Sequence, residues 1–299
     1  MLRVENVRKC YGDIVAVDGV SFTVSDGEIF GLLGLNGAGK TTTFRMILGL
    51  IDDYTGDITI DGEHINYNIT DKIGFLTEER SLLLKMTVLE QIIYYGVLKS
   101  MREDEIEKKL DYWLERFEIT EYKNRKIKEL SKGNQQKVQF ISAIINDPKL
   151  LILDEPFSGL DPINVELFKS VILELKKKGT SIIFSSHRME HVELFCENLL
   201  VLVKGKSVLQ GKLAKIKKDY KKKNLVVIGD INPDEIKKLD GVEKIDKNKD
   251  EYIISISDES YVNSLFRKIS KYDNIMKFCV EDPSLNEIFI SIVGDSYDK

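Results

Sequence analysis

The stretch Gly34 to Thr42, reading GLNGAGKTT, constrains the fold more than any other part of the chain. It follows the apolar run Ile29 to Leu33 and precedes FRMILGL, whose apolar residues fall at helical spacing. A buried strand, a loop and a helix are therefore expected in that order, which places the segment in an α/β core. Gly34, Gly37 and Gly39 let the backbone form a nest of outward-pointing N–H groups, and the helix beginning there adds its positive end. A polyphosphate is the natural guest. Lys40 supplies a mobile ammonium for its outer phosphates, and the Thr41 hydroxyl is placed to bind Mg²⁺.

A second buried strand ends in charge. LLILDEP, residues 150 to 156, is too apolar for an exposed edge and stops at two carboxylates and a proline. Ligands of open α/β sheets bind at such carboxyl ends. Asp154 is expected to hold Mg²⁺ opposite the phosphate loop, and Glu155 to orient an attacking water as general base. TSIIFSSH is another core strand that brings His187 to the same edge, where it can donate to a phosphate oxygen. His191, one turn later, reads as packing or surface, and His64 carries no signal.

Around these strands the pattern changes. LRVENV and SFTVSDG alternate as antiparallel strands do, with Tyr11 in the loop between them. That ring either stacks on a base or packs on its hairpin; both readings stand. KIGFLTEER reads as a strand ending at Glu78 and Glu79. From about residue 86 to 146, apolar positions such as Ile106, Leu110, Leu114 and Phe117 recur at helical spacing among charges, which predicts a helical insertion. It ends in ELSKGNQQKVQF, where Ser131 is a natural N-cap and the helix start is either an ordinary cap or an anion site. NLLVLVKGKSVLQG is expected to be a hairpin closing a first domain near residue 212. The lysine-rich residues 213–224 read as a solvated linker or as contact with an anionic membrane. Residues 225–299 then suggest strand, helix, strand, strand, helix, strand and helix, a ferredoxin-like α+β domain.

Composition narrows the class. The chain has 299 residues, 42% of them apolar and 31% charged, enough for a sizeable core. A net charge of -5 argues against a nucleic-acid partner held by a basic surface. Cys10, Cys196 and Cys279 are too scattered for a disulfide framework or a zinc site, which points to a reducing compartment. No apolar run reaches the ~20 residues needed to span a bilayer, so any service to a membrane is expected through a partner.

Taken together, GLNGAGKTT, LSKGN, LLILDEP, SGLD and the strand-end His187 resemble, in order and separation, the ATP-binding subunits of ABC transporters, a branch of the P-loop NTPases. The resemblance covers residues 1 to about 212. It implies an ATPase that uses ATP and Mg²⁺, works with an integral-membrane permease and a second ATPase subunit, and sits in the cytoplasm against the inner face of the membrane. It also implies roles. Tyr11 is similar to the aromatic that stacks on adenine, and Gly34, Leu35, Asn36, Gly37, Ala38, Gly39, Lys40, Thr41 and Thr42 to the triphosphate cradle. Glu78 stands where most members have a glutamine touching Mg²⁺, which would strengthen metal binding or perturb turnover. Ser131, Gly133 and Gln135 lie in the signature stretch that contacts the opposite subunit's nucleotide. Asp161 resembles the residue that couples the two sites.

Lys132 and Asn134 depart from the usual LSGGQ wording of that signature. With FLTEER and FSGLDPINVELFKS, they are similar to a narrower sodium-efflux (Nat-type) group paired with ABC-2-type permeases, which implies export. The competing reading is a soluble ABC-type ATPase acting without a permease.

Overall fold

Alternating apolar residues build the N-terminal hairpin. β1 (Leu2–Tyr11) buries Leu2, Val4 and Val7, and β2 (Ile14–Val24) buries Val17, Val20, Phe22 and Val24 on the facing side. β3 (Ile29–Gly34) leaves this hairpin for a second sheet, while β4 (Thr55–Ile60) returns to pair antiparallel with β1 and carries β5 (Glu63–His64) at the edge. Phe22 and Phe30 stack at 5.1 Å, in a core that also holds Phe44 and Met46 from α1 (Lys40–Ile47). Burying each such ring contributes on the order of 2 kcal/mol. The phosphate loop is thereby anchored at both ends.

β6 (Ile73–Leu76), β7 (Leu150–Asp154), β8 (Ser181–Ser185) and β9 (Asn198–Val203) complete a parallel ladder with β3, and β10 (Lys206–Lys212) extends it past β9. The order is β10-β9-β3-β8-β7-β6. β3 and β8 are buried throughout, as parallel strands covered on both faces must be. Since β3, β6, β7 and β8 run the same way, their carboxyl ends share one edge. Gly34 and Asp154 are the last residues of β3 and β7, and Glu78, Glu155 and His187 follow β6, β7 and β8 within two residues.

The insertion holds α2 (Val88–Leu98), α3 (Glu103–Arg116) and α4 (Lys132–Ile144). Thr87 and Glu90 cap α2 reciprocally, with Glu90 N donating to Thr87 Oγ1 at 3.2 Å and Thr87 N donating to Glu90 Oε2 at 2.7 Å. Trp113 is a packing residue: it is 2% exposed and leads into a cluster of Phe117, Phe140 and Phe168. Phe168 lies on α5 (Pro162–Lys177), so aromatic edges tie the insertion to the core. α6 (Met189–Phe195) follows β8. The structure describes residues 1–79 and 81–297 of a computed structural model, and no described helix is long and apolar enough to cross a membrane.

The chain divides into units Met1–Gln210 and Gly211–Lys299. The second unit opens with α7 (Leu213–Asp219), then runs β11 (Lys223–Ile228), α8 (Pro233–Ile236), β12 (Val242–Asn248), β13 (Glu251–Ile256), α9 (Val262–Ile269), β14 (Lys277–Glu281) and α10 (Leu285–Tyr297). Its sheet is antiparallel with order β12-β13-β11-β14, a ferredoxin-like arrangement. Leu225 and Val227 pack with Ile254, Ile256, Leu265 and Ile269. A linker reaching residue 224 is too long. Lys223 and Asn224 are buried in β11, because Lys223 Nζ donates to Asp282 Oδ1 and to the Lys218 carbonyl, both at 2.8 Å. Lys222 in turn pairs with Glu243 at 2.7 Å, so two of the lysines offered for a membrane surface are engaged with carboxylates.

Candidate functional site

The loop between β3 and α1 can be made only by glycine at its tightest points. A Cβ at Gly34 would lie 2.5 Å from the Leu202 carbonyl oxygen, and one at Gly39, whose φ is 107°, would lie 2.6 Å from that of Ala16. No described side chain caps α1, which leaves its first N–H groups directed at the loop. Leu35, Asn36 and Gly37 are exposed, whereas Ala38 is buried. Lys40 Nζ donates to the carbonyls of Gly34 at 2.7 Å and Leu35 at 3.2 Å, so the ammonium is held over the nest. Burial pushes the Lys40 pKa below its ordinary value, against the opposing pull of Asp154, Glu155 and Glu78.

Those three acids define the other wall. Asp154 ends β7 and its carboxyl is raised above the usual range by burial, a shift that Glu78 reinforces and that Lys40 and His187 oppose. Glu155 is raised by burial too. It sits at φ 50°, a left-handed conformation that turns it out of the strand line, and its N–H donates to the Ser185 carbonyl at 3.0 Å. The turned carboxylate accepts the His187 backbone N–H on Oε1 and the Ser186 hydroxyl, at 3.2 Å, on Oε2. His187 Nε2 lies 3.8 Å from Oε1, and its ring is half exposed. His191, by contrast, is buried with its ring edge-on to Phe157 at 4.8 Å, and burial lowers its pKa.

Thr41 and Thr42 belong to the first turn of α1. Thr41, Glu78 and Asp154 offer hard oxygen donors, and no group of three or more His, Cys, Asp or Glu among the described residues could hold a metal alone. Such a donor set fits Mg²⁺, which is normally held by one or two carboxylates together with substrate phosphates. Tyr11 stands at the hairpin tip, 46% exposed, with Lys9 Nζ 4.8 Å from its ring centroid. Its hairpin partner strand leans on the loop through Ala16. LSKGN is a different matter. Ser131 caps α4 by accepting Asn134 N at 3.3 Å, and Gln135 donates to the carbonyls of Ile127 and Leu130, so these side chains bond within their own turn rather than to the phosphate loop. A Cβ at Gly133 would stand 3.7 Å from Asn164 Nδ2, and Asn164 is bonded to Asp161, the N-cap of α5.

The sequence profile of the ABC transporter family matches residues 17–158, and that of the ATP-binding protein DrrA1-3-like, C-terminal domain matches residues 211–293. The ABC transporter ATP-binding protein YhaQ of Bacillus subtilis is 50% identical over 298 residues, covering 100% of both chains. The chain belongs to the ATP-binding subunits of ABC transporters. The ATP-binding protein NatA of Bacillus subtilis is 36% identical across 71% of this chain and 88% of NatA. Among solved structures, the dimeric ABC transporter cassette MJ0796 superposes with a TM-score of 0.65 at 28% identity, covering 71% of this chain and 99% of the cassette. That cassette is also known in a post-hydrolysis state bound to ADP and Pi. This ABC subunit accordingly binds and hydrolyses ATP, on the α/β core its phosphate loop predicts. Subunits of this kind work with membrane permeases and dimerise.

Two contributors escape a reading of the sequence. Ser186 is hidden beside His187, yet it braces Glu155 while accepting Arg188 N at 3.1 Å. Gln139 lies on the buried face of α4 among Val138, Phe140 and Ile141, where the only signal is a polar residue in an apolar run.

Proposed function

We propose that this ABC ATPase subunit powers export through a separate ABC-2-type permease, as one of two copies that enclose Mg²⁺–ATP head to tail at the inner face of the membrane. One observation supports the reading of the site: Lys40, Glu78, Asp154 and Glu155, drawn from three distant segments, lie at or just past the carboxyl ends of neighbouring strands of one sheet. The nest from Gly34 to Thr42 takes the triphosphate, with Lys40 on its outer phosphates and Tyr11 beneath the base. Thr41, Glu78 and Asp154 would hold Mg²⁺, which when bound neutralises charge on the phosphates. Glu155, already braced by Ser186 and the His187 amide, takes a proton from the attacking water. His187 donates to the γ-phosphate. Ser131, Gly133 and Gln135 serve the nucleotide of the other copy, so their freedom from their own phosphate loop is expected.

The likeness to the ABC-2-associated group supports a permease that is a distinct chain, and an ATPase subunit does not line the path of its cargo. The Nat-type resemblance therefore bears on the pairing and not on the ion carried. Isolation of tagged Glu155→Gln protein from detergent-solubilised membranes with Mg²⁺–ATP tests the pairing. A multi-span protein recovered at fixed stoichiometry is expected; recovery of the ATPase alone, with ATP bound, would favour the permease-free alternative.

A further inference from the structure

Gln139 holds the segment that carries Glu78. From α4 its Nε2 donates to the Glu79 carbonyl at 3.1 Å, the Thr77 carbonyl at 3.3 Å and Thr77 Oγ1 at 3.4 Å, straddling Glu78 on both sides. Thr77 Oγ1 itself donates to the Glu79 carbonyl, closing a small ring of bonds around one peptide segment. The side chain is 4% exposed, and its Oε1 is buried with no partner among the described residues. Replacing the amide by an apolar side chain would leave the Thr77 and Glu79 carbonyls without this donor. What the amide contributes is therefore the hold its nitrogen has on this one segment. Its two N–H groups are spent on fixing a loop 60 and 62 residues away in sequence.

We propose that Gln139 is a positioning residue for the magnesium side of the nucleotide site: it clasps residues 77–79 to α4, so that the placement of Glu78 follows the helix whose first residues form LSKGN. The inference rests on the reading of Glu78 as a metal-side ligand. It adds a direct link within one chain between the acid at its own nucleotide and the helix start that serves the other copy. Gln139 touches neither substrate nor metal; it acts through the backbone on either side of Glu78.

The test is a calorimetric ATP titration of the full chain, without Mg²⁺ and across a Mg²⁺ series, for the parent, Gln139→Met, Glu78→Ala and the double variant. Gln139→Met keeps the volume of the side chain, which also lines a cleft of about 400 Å³ beside Tyr95 and Lys99. The expected result is a melting temperature lowered by a few degrees at most and unchanged Mg²⁺-free affinity, with the Mg²⁺ needed for tight binding raised about tenfold. In the Glu78→Ala background the Gln139→Met effect should vanish. Gln139→Leu, which also lacks the donors and adds no charge, should behave as Gln139→Met does. An Mg²⁺ requirement unmoved in both Gln139 variants, or a shift that persists without Glu78, overturns the inference. A Glu78→Ala protein with parental Mg²⁺ dependence overturns instead the reading of Glu78.

Discussion

Two glycine-containing turns each open a helix in this ABC subunit, and they are finished to different degrees. At α1 no described side chain caps the start, the loop cannot accept a Cβ at Gly34 or Gly39, and Lys40 feels the charges of Asp154, Glu155 and Glu78. At α4 the start is capped by Ser131, Gly133 has room for a methyl group, and Gln135 is bonded back to Ile127 and Leu130. The first is an electrostatic centre assembled within one chain. The second is a surface that its own chain does not use at the phosphate loop, which is what a site shared between two copies requires. The same peptide chemistry thus gives a cradle where burial and opposite charges converge and, on the proposed pairing of two copies, a docking face where they do not.

The contrast can be broken at either turn. The largest effect is expected from Glu155→Gln: ATP affinity stays near the parental value while steady-state turnover falls about 10²- to 10⁴-fold. Phosphate release at the parental rate would remove Glu155 as the base. Lys40→Ala should weaken ATP binding by roughly 10- to 100-fold, the range for losing charge-assisted bonds, as read by calorimetry. Ser131→Arg should do the opposite, leaving each chain's own ATP affinity unchanged while abolishing the nucleotide-dependent dimer seen by light scattering in the Glu155→Gln background. If it weakened ATP binding to isolated monomers, the two turns would belong to one chain's site.

The smallest effect concerns pH. Burial raises Asp154 and Glu155 above their unfolded pKa values, so the folded state holds more protons than the unfolded one between the two. Their ionised forms therefore destabilise the nucleotide-free fold above the raised pKa, and that penalty fades as pH falls toward the ordinary carboxylate range. Asp154→Asn should raise the melting temperature by a few degrees near neutral pH, with the gain shrinking in acid. Asp61 gives the opposite sign: bonds from Lys149 and the N-terminal amine hold its pKa down at about 2, so its stabilisation is lost as pH falls from about 4 toward that value. Asp61→Asn should flatten that acid limb in a series of melting curves.

The sequence made the nucleotide cradle legible because its chemistry is local. A strand, a glycine turn and a lysine lie within a dozen residues, and LLILDEP announces its buried course through an unbroken apolar run. The order of strands and helices in the second unit was readable from periodicity alone, yet the start of β11 was not. Lys223 looks like linker until Asp282 is seen to neutralise it from 59 residues away. Ser186 and Gln139 were invisible for the same reason: their partners lie 31 and about 60 residues distant, and no spacing rule encodes that meeting. Burial of a polar side chain is a tertiary fact.

Mixing two crippled proteins tests most directly whether the two turns meet across a pair of chains. Lys40→Ala spoils the cradle and Ser131→Arg spoils the docking face, so neither protein alone has an intact pairing. A mixed dimer has one, between the good cradle of the second and the good face of the first. ATP hydrolysis by the mixture, well above that of either protein, is the predicted result; a mixture as inert as its parts, despite formation of mixed dimers, would contradict it.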